Sequence, residues 1–582
     1  MRVPTLDTAA AGRLSTPTLR LLLSLTMWAA VVWVAVLWRL GGFSLIDPDE
    51  AHYAQLTREM LRTNRWLVPL LDGVPHLDKP VLFHWLQAAA IKLVGESEFA
   101  LRLPSACAAL ALFGVTRWTG SQFFGRATGN RSAVMFATLP LTFVLSSVGL
   151  FDMVFTAFLF GAVACLLVAS LRHRPNLEYL GWPLLALAVL TKGPVALVLA
   201  VLLGVALSVS AATRQAVTGL RWASGVTFVV AAAAPWFIYM WLAFPQEFVR
   251  DYALAGNLWY FTAPAAFTTR RSDPAFYLRT FTGAFFPWSV IALGRGVDVV
   301  RLWWRGESLS IEERTLWTWL LVVLAFFSVA GFKLDTYIFP TAPAVAMLAA
   351  FGWQQASHRD TQPMARSWTR RAALMVAVVL ITAGAIVGAV LFRIDLGVPA
   401  GAVMLPAALV AGGVLVALGS YGSHRLLPRA PVAAVATLLL IYVSVVAYGI
   451  PALERSRPTA PLGHWINRNS APDSPLGVIG LTDWRASIRY YSDRRLVPLS
   501  GSAEVKAFLD RHPDAHILMR RREYLALREA GSDIRAFGGR PAIVDRAGKY
   551  IRRQIWDRIL VAGRADPLAP TLASIDSEAH LE

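Results

Sequence analysis

The sequence predicts a polytopic α-helical membrane protein with about thirteen transmembrane helices and a C-terminal extracytoplasmic α/β domain. Three observations carry this. Hydrophobic residues make up 56% of the 582 residues and charged residues only 16%, a balance foreign to soluble domains. Apolar runs, most of them near the ~20 residues that cross a bilayer, recur as far as Ile450. Arginines crowd every second connection between those runs.

The runs place spans near 20–40, 99–117, 132–150, 153–171, 178–191, 194–211, 222–241, 280–295, 315–332, 336–355, 372–391, 400–420 and 430–450. The first is too long for a cleavable signal peptide, and no small-residue cleavage pattern follows it. Basic connections hold Arg117, Arg126 and Arg131, then Arg172 and Arg174, then Arg214 and Arg221. The series continues with Arg295, Arg301, Arg305 and Arg314, then Arg359, Arg366, Arg370 and Arg371, then Arg425 and Arg429. By the positive-inside rule these connections and the N-terminus are cytoplasmic. The net charge of +18 is thereby read as topology rather than nucleic-acid binding. Cys107 and Cys165 both lie in apolar runs, which argues against a disulfide framework or a cysteine metal site.

The opposite face gathers a different set of side chains. It carries an interfacial loop 41–98, a second loop 242–279, and the turns "GLFDMV", "LTKGP" and "GFKLDTYIFP". Asp49, Lys79, Asp152, Lys192, Lys333 and Tyr337, far apart in sequence, all fall there. Within the first loop "EAHYAQLTREMLRT" and "VLFHWLQAAAIKLVG" read as helices lying in the membrane interface. After Ile450, "PLGVIGL", "RRLVPLS" and "DAHILMR" read as strands separated by helical segments, a small α/β domain over 451–567 without a Gly-rich phosphate loop. The tail 568–582 has no clear period and is expected to be disordered.

No zinc-protease spacing, cysteine pair or nucleophile elbow occurs. What remains is acids and cations at one membrane face, where ionisable groups are usually functional. Lysines and arginines there would hold a lipid phosphate, and a carboxylate would orient or deprotonate an attacking group. Simpler roles stand beside these: Asp152 and the acids Asp47, Asp49 and Glu50 suit helix N-termini, and Lys192 suits a snorkelling turn.

The motifs resemble a known family. "DPDEAHYAQLTREMLRTNRWLVPLLDGVPHLDKPVLFHW" is similar to the first periplasmic loop of lipid A aminoarabinose transferases and related protein-mannosyltransferase-like enzymes, with its D-E-x-x-Y-A, W-x-x-P and E-K-P pattern. "LFDMVFTAFL", "LTKGP", "FFPWS" and "KLDTYIFP" resemble the later motifs, in family order. The resemblance implies a GT-C fold, with residues 1–450 as its transmembrane catalytic domain. It also implies a glycosyltransferase of the bacterial inner membrane whose active site and C-terminal domain are periplasmic. Its donor would be a sugar on a polyprenyl-phosphate carrier, with 4-amino-4-deoxy-L-arabinose the leading sugar. Its acceptor would be a lipid or glycan, foremost lipid A, with protein, O-antigen or hopanoid as alternatives. Asp49 and Asp152 match catalytic aspartates. Glu50, Tyr53, Asp78, Lys79, Lys192, Lys333 and Tyr337 match or flank substrate-binding positions, and Arg270 and Arg271 in the second loop could close over the phosphate. Departures are Asp78 for the E-K-P glutamate, His52 for an arginine, and Asn257 where the transferases tend to carry an acid and a histidine. They leave sugar, acceptor and any divalent metal open. A secondary transporter is the alternative of another class, but it predicts charges near the bilayer midplane and repeated halves, and neither is seen.

Overall fold

A computed structural model describes residues 29–38, 40–262, 273, 275–358, 367–393, 403–421, 430–543 and 556–564. Arg270, Arg271, Arg359, Arg366, Arg425, Arg429, about half of the first predicted span and the tail 568–582 lie outside the described residues.

Among the described residues, six helices are long and apolar enough to cross a membrane: Glu98–Phe124, Phe151–Leu171, Trp222–Ala243, Asp335–Ser357, Trp368–Phe392 and Ala430–Glu454. The pair Phe276–Ala284 and Trp288–Trp304, bent by 115°, makes a seventh if counted as one span. Helices Glu178–Lys192, Val195–Val209, Ile311–Val329 and Met404–Tyr421 occupy the other predicted positions, but they are shorter or more charged.

Proline accounts for the two largest departures from one helix per apolar run. The run 132–150 divides into Arg126–Ala137 and Pro140–Ser146. Leu139 is held extended (φ −67°, ψ 133°), as expected of a residue before proline. The run 280–295 divides at Pro287, between Phe276–Ala284 and Trp288–Trp304.

Burial separates the centre of the bundle from its rim. In Phe151–Leu171 nearly nine-tenths of the span window is buried (89%), against 22% in Trp222–Ala243 and Trp368–Phe392. The outer helices expose Phe228, Trp241, Leu242 and Phe392. Apolar surface of that extent is stable only against lipid, so the chain is a multi-pass membrane protein.

Both predicted interfacial helices form, as Asp49–Thr63 and Leu82–Val94. The first ends at Asn64, whose left-handed φ of 54° caps it. A two-residue turn at Asp72 and Gly73, both with positive φ, joins the short strands Leu70–Leu71 and Val74–Pro75. This is the Asp-Gly chemistry such hairpins favour. Thr57 ties the two helices together by bonding His84 at 2.9 Å and donating to Gln87 at 2.8 Å, and Gln87 in turn donates to the Leu101 carbonyl.

The C-terminal unit is a five-stranded sheet in the order Leu496–Pro498, Leu476–Ile479, Ile517–Arg520, Trp556–Arg564, Ile534–Ile543. The three strands legible in the sequence pair in parallel. The last two strands form an antiparallel hairpin with a bulge between Ala536 and Gly538. Sequence reading missed this hairpin because "FGGRPAI" breaks the alternation that signals a strand. The unit rests on the interfacial loop. Tyr490 and Tyr491 pack with Leu45, Ala51, Ala54 and Leu101, and Asp493 takes both Arg62 nitrogens at 2.7 and 2.8 Å.

Candidate active site

The site is organised by the first turn of the helix Asp49–Thr63. Two acids at a helix N-terminus are favoured by the helix dipole, yet their environments diverge. Asp49 is exposed. Glu50 is fully buried and forms a two-pronged ion pair with Arg102, at 2.7 and 3.0 Å. Its oxygens also accept from the amides of Ile46 and Gly149, both at 2.7 Å. Arg102, equally buried, spends its remaining donors on the carbonyls of Leu40, Phe43 and Ser44. Every group in this cluster is satisfied within the protein, so the expectation that Glu50 meets substrate does not fit its position. Glu50 is an anchor, and its Gly149 bond sets the chain entering the next helix.

That helix, Phe151–Leu171, carries Asp152 in its first turn. Its neighbour Glu178–Lys192 runs back and ends on Lys192. A carboxylate at a helix start and an ammonium at a helix end each complement the local dipole, by about 0.3–1 kcal/mol. Here the two meet, Lys192 Nζ to Asp152 Oδ1 at 2.6 Å, both side chains about one-seventh exposed. Gly193 follows with φ +90°, and a Cβ there would collide with the Tyr252 hydroxyl, so the glycine of "TKGP" is required by backbone and by space. Lys192 also lies 4.9 Å from the Tyr337 ring centre, a cation–π contact.

Tyr53, one turn below Asp49, packs edge-on against Phe151 with ring centres 4.6 Å apart. A contiguous path therefore runs from the Asp49 turn through Tyr53 and Phe151 to Asp152, Lys192 and Tyr337. A cavity of about 350 Å³ continues from it, bounded at its polar end by Lys79, Lys192, Asn257 and Tyr337 and elsewhere by apolar side chains such as Val198, Phe261 and Phe326. Lys333 is buried and its ammonium donates to the Ala330 carbonyl; it is absent from the cavity wall.

Lys79 pairs with Asp78, Nζ to Oδ1 at 2.8 Å. Burial by itself would raise the Asp78 carboxyl, but the Lys79 ammonium beside it, helped by His76 and His52, holds it below the usual carboxylate range. His52 and His76 face each other, Nε2 to Nε2 at 3.0 Å. One ring donates and the other accepts, which requires that they not both be charged. Burial pushes His52 down to about 4, with His76 adding to it, and burial lowers His76 as well. Sequence reading noted His52 only as a departure and missed His76 and Arg102. Arg102 gave no signal, being one arginine in an apolar run. Among the described residues no group of three or more His, Cys, Asp or Glu side chains is arranged to hold a metal ion.

Residues 78–239 match the family model described as dolichyl-phosphate-mannose-protein mannosyltransferase. Over 323 residues the chain is 31% identical to the undecaprenyl phosphate-alpha-4-amino-4-deoxy-L-arabinose arabinosyl transferase 1 of Sodalis glossinidius, covering 54% of this chain and 56% of that protein. The Pectobacterium carotovorum transferase of the same description is 28% identical, with 53% and 55% covered. The chain thus spans about half the length of the curated relatives it matches. The structure superposes on ArnT from Cupriavidus metallidurans bound to undecaprenyl phosphate with a TM-score of 0.68 and 20% identity, covering 95% of this chain and all of that one. The fold is that of ArnT. The archaeal oligosaccharyltransferase AglB from Archaeoglobus fulgidus aligns more loosely, at a TM-score of 0.50 and 14% identity over 89% of this chain and 72% of that one. The resemblance read from the motifs, to polyprenyl-phosphate-dependent GT-C glycosyltransferases, is borne out.

Proposed function

We propose that this chain is an inner-membrane glycosyltransferase that moves a sugar, foremost 4-amino-4-deoxy-L-arabinose, from a polyprenyl-phosphate carrier to lipid A on the periplasmic face. The observation that carries the reading is the cavity with two lysines and a tyrosine at one end and apolar side chains along the rest. A prenyl phosphate has that same division. The names of the relatives support the sugar and the carrier, and the alternation of basic connections supports the orientation.

In this reading residues 1–450 form the catalytic domain and 451–567 a periplasmic domain above the interfacial loop. Lys79, Lys192 and Tyr337 receive the carrier phosphate. Asp78 and Asp152 hold the two ammonium groups in place beforehand, which avoids reorganising them during reaction. The acceptor oxygen attacks the anomeric carbon, the bond to the phosphate oxygen breaks, and the polyprenyl phosphate leaves with the electron pair. The lysines stabilise the charge that grows on it. Asp49 faces the acceptor. A phosphate acceptor is already ionised, so Asp49 there orients it; a hydroxyl acceptor would give Asp49 its proton.

Asp49→Asn tests this directly. The substitution keeps size and removes charge at an exposed position. Transfer to lipid A from the undecaprenyl-phosphate-linked sugar is expected to fall by about 10²–10⁴, while insertion and melting temperature stay as in the wild type. Wild-type turnover in the variant would remove Asp49 from the reaction.

A further inference from the structure

A separate cavity, also of about 350 Å³, lies between the helices Glu178–Lys192 and Trp222–Ala243 and shares no lining residue with the first. Glu178 begins its helix of 15 residues and Lys192 ends it. At the rise of an α-helix the two lie about 20 Å apart, so this cavity sits at the far end of the helix from Lys192. Gly225 makes the room. A Cβ there would collide with the Trp182 indole, and without one the helices approach closely enough for the indole to form the floor. Phe228 is about half exposed and Tyr179 more so. Trp222–Ala243 is among the least buried spans, so the apolar side of the cavity opens to lipid.

The polar end holds one carboxylate and one guanidinium, and neither is saturated. Glu178 is buried at 3% exposure. Its Oε2 accepts from the Arg221 amide at 2.9 Å and from the Trp182 indole N–H at 3.3 Å. Its Oε1 has, among the described residues, only a loose ion pair with Arg221 Nε at 3.4 Å. A buried carboxylate is costly unless hydrogen bonds satisfy it, and this oxygen has room for another donor. The Arg221 side chain is half exposed. One of its nitrogens reaches the Tyr179 hydroxyl at 3.4 Å, and the rest of the fork faces outward without a partner among the described residues.

We infer that this cavity binds a zwitterionic glycerophospholipid with a primary ammonium head. Its phosphate sits on Arg221, its ammonium donates to Glu178 Oε1 beside the Tyr179 and Trp182 rings, and an acyl chain runs along Pro183 and Phe228. Arg221 and Glu178 together carry no net charge. A zwitterion matches both, whereas an anionic head leaves the carboxylate facing nothing positive but Arg221. A quaternary ammonium could use the rings but has no N–H to give Glu178. The site does not depend on the glycosyltransferase reading. Its occupant ties together two helices, one ending on Lys192 and the other leading into the second loop, whose Asn257 lines the first cavity.

The test uses purified full-length protein, stripped of lipid and offered equal amounts of phosphatidylethanolamine, phosphatidylglycerol and phosphatidylcholine in detergent. Native mass spectrometry is expected to find phosphatidylethanolamine retained about tenfold over each of the others. Ser224→Trp fills the cavity from an exposed position and is expected to cut that retention about tenfold, with undecaprenyl phosphate binding held within about twofold. Glu178→Gln keeps the size of the side chain and is expected to erase the preference over phosphatidylcholine. That preference is a ratio within one sample, so it decides the question even where a variant folds in lower yield. Equal retention by wild type and Ser224→Trp overturns the site. Phosphatidylglycerol or phosphatidylcholine held as strongly as phosphatidylethanolamine by the wild type overturns the inference too, as does an unchanged preference in Glu178→Gln.

Discussion

The pair Arg102 and Glu50 and the pair Lys192 and Asp152 have the same chemistry and opposite surroundings. In the first, both side chains are sealed at 0% exposure and every donor and acceptor finds a partner in the protein. In the second, both side chains keep 13–14% exposure beside a cavity. A sealed, saturated pair has nothing left to offer a ligand and fixes geometry. A pair at a cavity edge can exchange one partner for a phosphate. Proximity of charges in the folded protein therefore does not by itself identify a site; the remaining access does.

Breaking the sealed pair should have the largest effect. Arg102→Ala leaves Glu50 buried without its partner, which costs about 3–5 kcal/mol, and is expected to abolish the monodisperse peak in detergent size-exclusion. Arg102→Lys is expected to rescue it only in part, because an ammonium cannot span Glu50 and three carbonyls at once. Asp152→Asn should act the other way round. Transfer is expected to drop about 10²-fold or more while the melting temperature moves by no more than a few degrees. A collapse of folding in Asp152→Asn would make it a second structural pair and erase the contrast.

The sequence made one half of this contrast legible and concealed the other. Asp49, Asp152, Lys192 and Tyr337 stood out because charge and aromatic hydroxyl are rare at the ends of apolar runs, and alternating arginines put them on one face. Glu50 was grouped with Asp49 because neighbours on a helix share a sequence context but not a direction. Only the packing of Arg102 across from it, 52 residues away in sequence, separates the two. Helices were legible as apolar runs, but Pro140 and Pro287 divide two of them. In the C-terminal domain the apolar parallel strands were legible and the Gly-rich hairpin was not.

Acid pH gives a subtler contrast, between two groups of the interfacial loop, His52 and Asp47. His52 falls from an ordinary 6.5 to about 4. Between those values the unfolded chain binds more protons, so this group's stabilising contribution is complete above about pH 6.5 and is lost as pH falls toward 4. Asp47 has the opposite sign. Burial raises it from 3.8 to about 6, against its bonds from Ser487. The folded chain then binds the extra proton, and stability from this group rises as pH falls from 6 toward 3.8. His52→Asn is accordingly expected to flatten the acid limb of the melting temperature, and Asp47→Asn to steepen it. Identical profiles for both variants would refute the pairing.

The smallest effect belongs to the exposed clasp between the domains. Arg62 and Asp493 form a two-pronged pair, but their side chains are 53% and 37% exposed, and such pairs contribute about 0–1 kcal/mol. Arg62→Ala is expected to shift the melting temperature by a degree or two at most and to leave transfer intact. A large loss of transfer would mean that the C-terminal domain closes the site through this contact.

The central claim is that the cavity bounded by Lys79, Lys192 and Tyr337 holds the phosphate of a prenyl carrier. Binding of undecaprenyl phosphate to purified wild type and Lys79→Ala in detergent tests it most directly. A charge-assisted contact contributes about 1.5–3 kcal/mol, so the variant is expected to bind roughly ten- to a hundredfold more weakly, with Arg62→Ala unchanged as the control. Equal affinity in wild type and Lys79→Ala would return that lysine to a surface pair with Asp78 and contradict the account.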